Sequence, residues 1–532
     1  MSDRMTAAAP AGAPLTRLDR LVGQGAPGRP ALTFKERTVS YGELAEQVAS
    51  VAYGLYRLGV RRGDRVAVYA EKRVETVVAM LATAAAGAVF VPVNQLFKGR
   101  HLARVTEDCA AVALVTTAER LDTVRSALAP DTSVRHLVVI GDSGEAPPVD
   151  DRWQVTAWER LGEKGPVPVP GAHAVIDADV AAIFYTSGST GGPKGVVLSH
   201  RNLLAGADSV ATYLGHTGDD VLLAALPLSF DAGFSQLTTA LIRGAHVVLT
   251  NYLLPREVVR LCARHGVTGL TCVPPLWMQL AALEWPLEAT GRLRYFANTG
   301  GRMPRATLAR LRELLPQARP FLMYGLTEAF RATYLDPAEA DRRPDSIGKA
   351  IPNAEVLVVR PDGTPCVPGE HGELVQRGAL VALGYWNNPE ATALRFRPAP
   401  GGVPSGLAER AVWSGDTVYR DEEGFLYFVG RADDMIKSSG YRISPTEVEE
   451  AAYATGLVTE AVALGAADEQ LGQHVLLVVA GPCDTGRLHQ AMAREVPAYM
   501  LPRRTVVLPG LPRSVNGKFD RVELRRMVEA EQ

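Results

Sequence analysis

Cysteine is scarce. Only Cys109, Cys262, Cys272, Cys366 and Cys483 occur in 532 residues, and no two form a CxxC pair. Scattered thiols of this kind argue against a disulfide or zinc framework and suit a reducing cytoplasm. Charge of one sign is equally scarce. The formal net charge is -2, so no global basic field draws nucleic acid or an anionic membrane. The N-terminus, rich in Ala, Pro and Gly and carrying Asp3 and Arg4, lacks the apolar core of a signal peptide. Residues 1–14 are expected to form a disordered tail. One long uncharged run, 76–97, has the length of a membrane span, but it contains Pro92 and many alanines. It reads better as a buried helix over 77–86, then Gly87 and a short strand over 88–91. No transmembrane segment is therefore expected. Internal repeats and heptads are absent too.

What remains is ordinary globular material, 47% hydrophobic and 21% charged, too long for one core. Leu44, Val48, Val51, Leu55 and Leu58 recur at helical spacing over 43–58. Strand-like runs cover 65–69, 112–115, 136–140 and 180–184. Such alternation predicts an α/β fold with mixed or largely parallel sheets flanked by helices. Residues 351–430 change character: Pro and Gly punctuate short alternating runs such as 354–360 and 372–376, which predicts a β-rich subdomain. Ser444-Pro-Thr-Glu447 has the pattern of a capping box with Pro at the first helical position, so a helix is expected there. From that point to the end, helix and strand alternate as in a compact α+β lid. The expected division is an N-terminal domain over 15–432 and a small mobile domain over 433–532.

The chemistry begins at Tyr185-Thr-Ser-Gly-Ser-Thr-Gly-Gly-Pro-Lys-Gly-Val196, which follows the strand-like 180–184. Glycines let backbone N–H groups approach an anion, and Thr186, Ser187, Gly188, Ser189 and Thr190 supply hydroxyl and backbone donors. Lys194 adds a mobile positive charge. The loop is built to hold a polyphosphate. It is not the P-loop, because Pro193 precedes the lysine and Gly195 follows it, where a P-loop needs Gly-Lys-Ser/Thr opening a helix. Composition alone would equally describe a linker; the order of residues is the specific part.

Four further stretches carry candidate chemistry. In Tyr324-Gly-Leu-Thr-Glu328, an aromatic ring beside Gly325 can stack on a purine, Thr327 can reach a phosphate oxygen, and Glu328 offers a hard oxygen to Mg²⁺. Trp413-Ser-Gly-Asp416 presents one carboxylate at a turn. A long ordered run extends from Gly430 through Arg431, Asp433, Gly440 and Arg442 to Glu449. Leu511-Pro-Arg-Ser-Val-Asn-Gly-Lys518 ends on a lysine. Each also has a plain structural explanation as a turn or solvated loop.

In order and spacing, the five stretches resemble the signature motifs of the adenylate-forming superfamily, which includes acyl-CoA ligases, luciferases and the adenylation domains of peptide synthetases. The motifs span residues 185–518, and weaker likeness such as Val39-Ser-Tyr-Gly-Glu-Leu44 extends it to nearly the whole chain. Ser414 and Ser514 stand where Thr is common. The resemblance implies an AMP-forming ligase using ATP and Mg²⁺. Asp416 and Arg431 would hold the ribose, Gly300 and Gly301 would line the nucleotide site, and Arg442 would help with phosphate. Asp433 would be the hinge, and Gly440 would leave room for the arm of a thiol acceptor. Lys518 would bridge carboxylate and phosphate, help worth about 10²–10³ in rate. Thr186 and Glu328 would join it as catalytic residues, Glu328 as the metal ligand.

The resemblance also marks an acid pocket: Phe230, Asp231, Ala232, Ser235, Cys272, Ala297, Thr299, Met323, Arg331 and Ala332. Amino-acid-activating members carry an Asp at the Asp231 position to meet an ammonium, whereas Arg331 is unusual at a wall that is often apolar. Either the two bind a zwitterionic or second acidic group, or they pair with each other or with the neighbouring loop. The stretches around 226–231, 252–255 and 323–331 look most like free-standing bacterial acyl-CoA ligases, some of specialised metabolism. The expected reaction is activation of a small carboxylic acid through acyl-AMP, then thioester formation with CoA. The alternatives are an amino-acid-activating enzyme that loads the phosphopantetheine of a carrier protein in trans, and a nucleotide-binding protein without catalysis. A cytoplasmic monomer or homodimer is expected.

Overall fold

The computed structural model describes residues 15–97, 99–141, 152–186, 194–401, 409–431, 434–438, 441–468, 472–496 and 498–529. The expected tail over 1–14 and the hinge residue Asp433 lie outside the described residues, as do Ser187, Gly188, Ser189, Thr190 and Gly440.

Among the described residues three sheets organise the chain. The largest runs from one edge as Ala354–Val359, Gly372–Gly378, Arg410–Arg420, Leu426–Arg431, Ser346–Ala350, Thr333–Leu335 and Arg319–Tyr324. It continues as Tyr295–Asn298, Gly269–Cys272, Val221–Ala224, His246–Leu249, Pro30–Phe34 and Arg37–Ser40. Neighbours from Arg319–Tyr324 to Pro30–Phe34 pair parallel, and the rest pair antiparallel. The β-rich region expected over 351–430 is present, with the helix Pro389–Arg395 inside it. It is not a separate sheet: Thr333–Leu335 and Ser346–Ala350 join it to the parallel strands by an unbroken ladder.

The second sheet is ordered Gly384–Tyr385, Lys194–Ser199, Val180–Thr186, Val89–Pro92, Arg65–Tyr69, Ala113–Thr117, His136–Ile140 and Gln154–Ala157. Helices fill the space beside the two sheets. Tyr41–Arg57 starts at a complete capping box between Ser40 and Glu43 and buries Leu44, Val48, Val51 and Leu55. The uncharged run resolves into the helix Val74–Ala85 and the strand Val89–Pro92. Among the described residues no helix is long and apolar enough to cross a membrane. Asp231–Leu241 is buried at every position, so it is enclosed on all sides. Phe234 on this helix packs on Phe90 and Phe184 of the second sheet, with centroids 5.3 and 5.6 Å away.

The third sheet comprises Tyr441–Ile443, Ile436–Ser438, Gly472–Ala480 and Ala461–Asp468, with Arg504–Leu508 parallel to Gly472–Ala480. It has its own apolar clusters, built on residues such as Val448, Leu477, Leu488 and Leu524. The helix Pro445–Ala454 begins where expected, but the capping box does not form. The Ser444 side chain makes no cap bond; its hydroxyl donates to the Val429 carbonyl instead. Turned towards that distant carbonyl, the hydroxyl oxygen accepts no bond from the backbone N–H groups of the first turn.

Candidate functional site

Lys518 belongs to the loop after Arg504–Leu508, yet its side chain reaches Phe230 and Gly300, far upstream in the chain. Its Nζ lies 5.1 Å from the centroid of the Phe230 ring. A Cβ added to Gly300 would stand 2.7 Å from Lys518 Cε, and Gly300 has φ +78°, so glycine is required there twice over. Burial pushes the Lys518 ammonium down, while Asp231 opposes that shift. Asn94 and Glu450 make contacts that help to hold this arrangement. Asn94 Nδ2 donates to the Val515 carbonyl at 3.1 Å. Glu450 Oε1, on the helix Pro445–Ala454, accepts from the backbone N–H of Arg305 at 3.1 Å, at the start of the helix Arg305–Leu314.

Asp231 opens its helix and is 4% exposed; Arg331 is 2% exposed. Arg331 Nη1 donates to Asp231 Oδ2 at 3.0 Å and Thr327 Oγ1 donates to Asp231 Oδ1 at 3.2 Å. The two charged residues left open by the sequence therefore pair with each other. Their meeting depends on Phe330, a non-glycine residue at φ +59° and ψ -51°. Arg331 N donates to the Ala329 carbonyl at 2.6 Å across it, which makes a γ-turn. The Phe330 ring is fully buried against Gly206, where a Cβ would lie 2.4 Å from the ring. Packing thus holds a backbone conformation that a bulky residue disfavours.

Ala232, Ser235, Met323 and Arg331 line one small cavity beside this helix. Cys272, Ala297, Thr299 and Ala332 are buried nearby on the same strands or their ends. Burial pushes the Cys272 thiol well up, which makes it an inert wall rather than a nucleophile. Gly325 packs closely on Arg331, and Gly301 accepts from Asn298 Nδ2 at 2.8 Å.

A second cluster forms around Asp416. Strand pairing sets Asp416 opposite Arg431, whose Nε donates to Asp416 Oδ1 at 3.1 Å. The Tyr324 hydroxyl donates to Oδ2 at 2.5 Å, and its ring lies 6.0 Å from that of Phe428. Burial and the carboxylate push the Tyr324 phenol well up, so it stays a donor. A third cluster gathers at the mouth of the hydroxyl-rich loop. Thr186 pairs with Lys194 across the strands, and Lys194 Nζ lies 5.5 Å from the Tyr385 centroid. The Tyr385 hydroxyl donates to Glu328 Oε1 at 2.5 Å. Among the described residues no group of three or more His, Cys, Asp or Glu could cage a metal. Glu328 alone suits an ion that takes one carboxylate and otherwise phosphate or water oxygens.

Tyr385, Asn94 and Lys72 escape sequence reasoning. Tyr385 sits on the two-residue strand Gly384–Tyr385, whose pairing with Val196 has no local signal. Lys72 looks like a surface charge after a strand but is 5% exposed. Its Nζ donates to the carbonyls of Ala224, Ala225 and Leu226 at 2.9, 2.8 and 3.0 Å, clamping the chain that leads to Phe230. Burial lowers its ammonium to about 7. Of Arg442 only the backbone, within Tyr441–Ile443, is described.

Known proteins share this architecture. The family model for "AMP-binding enzyme" matches residues 20–386, and that for its C-terminal domain matches 447–518. The indoleacetate–CoA ligase of Aromatoleum aromaticum is 31% identical over 94% of this chain and 96% of its own length. The L-proline–[L-prolyl-carrier protein] ligase of Pseudomonas fluorescens is 33% identical over 94% and 97%. A linear gramicidin synthase of Brevibacillus parabrevis is 29% identical over 93% of this chain, which spans only 9% of that much longer protein. Among solved structures, an o-succinylbenzoate coenzyme A synthetase from Bacillus subtilis, in complex with ATP and magnesium ion, superimposes with a TM-score of 0.78. It is 28% identical over 96% of this chain and 99% of its own.

Proposed function

The chain belongs to the AMP-binding enzyme family, and from that premise we propose that it is an AMP-forming acid–thiol ligase, joining a small carboxylic acid to CoA through an acyl-adenylate. In the first stage an acid oxygen attacks the α-phosphorus of ATP and pyrophosphate leaves. In the second a thiol sulfur attacks the acyl carbon and AMP leaves. The observation that carries the proposal is Lys518 lying between Phe230 and Gly300, delivered from the far end of the chain. There its ammonium meets both the acid carboxylate and the phosphate, and offsets the charge that builds up during attack.

Asp416 accepts from the ribose hydroxyls, with Arg431 and Tyr324 fixing its orientation. Lys194 and the hydroxyl-rich loop bind the outer phosphates. Glu328, held by Tyr385, is the residue suited to Mg²⁺. The ion supplies charge neutralisation on the phosphates. Once acyl-AMP has formed, the domain over 433–532 rotates about Asp433, withdrawing Lys518 and bringing Gly440 to the thiol path. One pocket then serves two second reactants in turn.

The carrier-protein alternative draws support from the prolyl-carrier relative and from Asp231. CoA is set first because Arg331 already occupies that carboxylate. ATP–pyrophosphate exchange over a panel of fatty, aromatic, hydroxy and amino acids tests activation. Thioester formation with CoA tests the acceptor. Release of AMP and pyrophosphate with at least one acid is expected; ATP split only to ADP and phosphate refutes the proposal.

A further inference from the structure

The acid pocket carries more charge than a carboxylate activator needs. Both oxygens of Asp231 are engaged, one by Arg331 Nη1 and one by Thr327 Oγ1. Arg331 Nη1 also donates to the Phe330 carbonyl at 2.7 Å. Its Nε is buried and, among the described residues, has no acceptor. Arg331 lines the small cavity together with Ala232, Ser235, Gln236 and Met323. A buried N–H left without a partner costs free energy unless something supplies an acceptor.

Charge counting narrows what that something is. Arg331 already neutralises Asp231, so the pair has no net charge for a substrate group to balance. An acid that also carries an ammonium would bring an unmatched positive charge to it. To reach Asp231 it would also have to displace Arg331, leaving a buried guanidinium without its counter-ion. A second carboxylate would leave an excess negative charge instead. A hydroxyl or keto oxygen disturbs neither balance and can accept from Nε–H.

Position follows from the same residues. Lys518 meets the carboxylate; its Nζ lies 5.1 Å from the centroid of the Phe230 ring, and Asp231 is the next residue, at the start of the helix. The Asp231–Arg331 pair therefore borders the carbons next to the carboxyl.

We propose that the acid taken by this site carries an uncharged oxygen acceptor on C2 or C3 and no ammonium. Arg331 selects it, by holding Asp231 away from cations and by offering its free Nε–H. This deepens, and rests on, the acid-activating function above.

Stable acyl-sulfamoyl-adenosines, which mimic acyl-AMP, provide the test. They are prepared as matched triplets on one carbon chain, with hydrogen, hydroxyl or ammonium at C2 or C3, and their affinities are measured by calorimetry on the full chain. The hydroxyl member should bind about tenfold or more tightly than the ammonium member, and several-fold more tightly than the hydrogen member. An ammonium member that binds as well as the hydroxyl member overturns the proposal, as does equality of hydroxyl and hydrogen.

Arg331→Met frees Asp231 to meet a cation and should reverse the hydroxyl-over-ammonium order; an unchanged order overturns it. If that variant does not fold, Asp231→Asn combined with Arg331→Met leaves neither charge stranded. The pair should erase the discrimination, and its persistence refutes the role of Arg331. Failure of the underlying function looks different: the binding order holds, yet the hydroxy acid supports no ATP–pyrophosphate exchange. Absence of binding by every mimic overturns both.

Discussion

Glu450→Ala should separate the two half-reactions. In the structure the Glu450 carboxylate accepts from the first backbone N–H of the helix Arg305–Leu314 at 3.1 Å. The Arg302 and Arg305 side chains at that terminus are bound to Asp345, so the helix end keeps only part of their field. The bond is exposed. A carboxylate at a helix N-terminus in such a setting contributes about 1 kcal/mol. This contact belongs to the arrangement with Lys518 inserted, so losing it shifts the ratio of that arrangement to any that lacks the contact by about fivefold. Acyl-AMP formation, followed by pyrophosphate release, should fall by up to that factor. Thioester formation from supplied acyl-AMP should be unchanged or faster. Glu450→Gln, which keeps an acceptor oxygen without charge, should fall between. Equal loss in both half-reactions, or no loss in the first, would refute the idea that this contact favours the adenylating arrangement.

Lys518→Ala should lower acyl-AMP formation by about 10²–10³ and spare thioester formation from supplied acyl-AMP, measured by the same pair of assays. Gly300→Ala should mimic it at about tenfold, because the new methyl would stand 2.7 Å from Lys518 Cε at a backbone φ of +78°. Normal adenylation would contradict that crowding. For Lys72 the pH sign is fixed by burial. Its ammonium, lowered to about 7 when folded, titrates near 10.4 when unfolded, so between those values the unfolded chain binds more protons. Stability should rise across that window in the native chain, and Lys72→Met should remove this component of the rise in denaturant midpoints.

Local patterns were readable where local forces decide. The helix Tyr41–Arg57 announces itself by apolar spacing and by Ser40 and Glu43. The strands at 65–69, 136–140 and 180–186 do so by short apolar runs. The motif residues were readable as types in an order. What stayed hidden depends on contacts between distant segments. Whether Asp231 and Arg331 pair is settled by the γ-turn at Phe330 and by Gly206, more than a hundred residues upstream. Tyr385 reaches Glu328 only because a two-residue strand pairs with Lys194–Ser199. Ser444 has the chemistry of a cap, but the Val429 carbonyl takes its hydroxyl. Lys72 is buried because three carbonyls converge at the end of Val221–Ala224, a convergence that no sequence window contains.

The unbroken ladder from Ala354–Val359 to Arg37–Ser40 has a mechanical meaning. The carboxylate of Asp416 and the walls of the acid cavity are bolted to one chassis, so neither can slide past the other without tearing main-chain bonds. Reactants held there keep a fixed separation through the whole cycle. In the proposed cycle displacement is left to the smaller unit, which touches the rest of the chain through single hydrogen bonds such as those of Asn94 and Glu450.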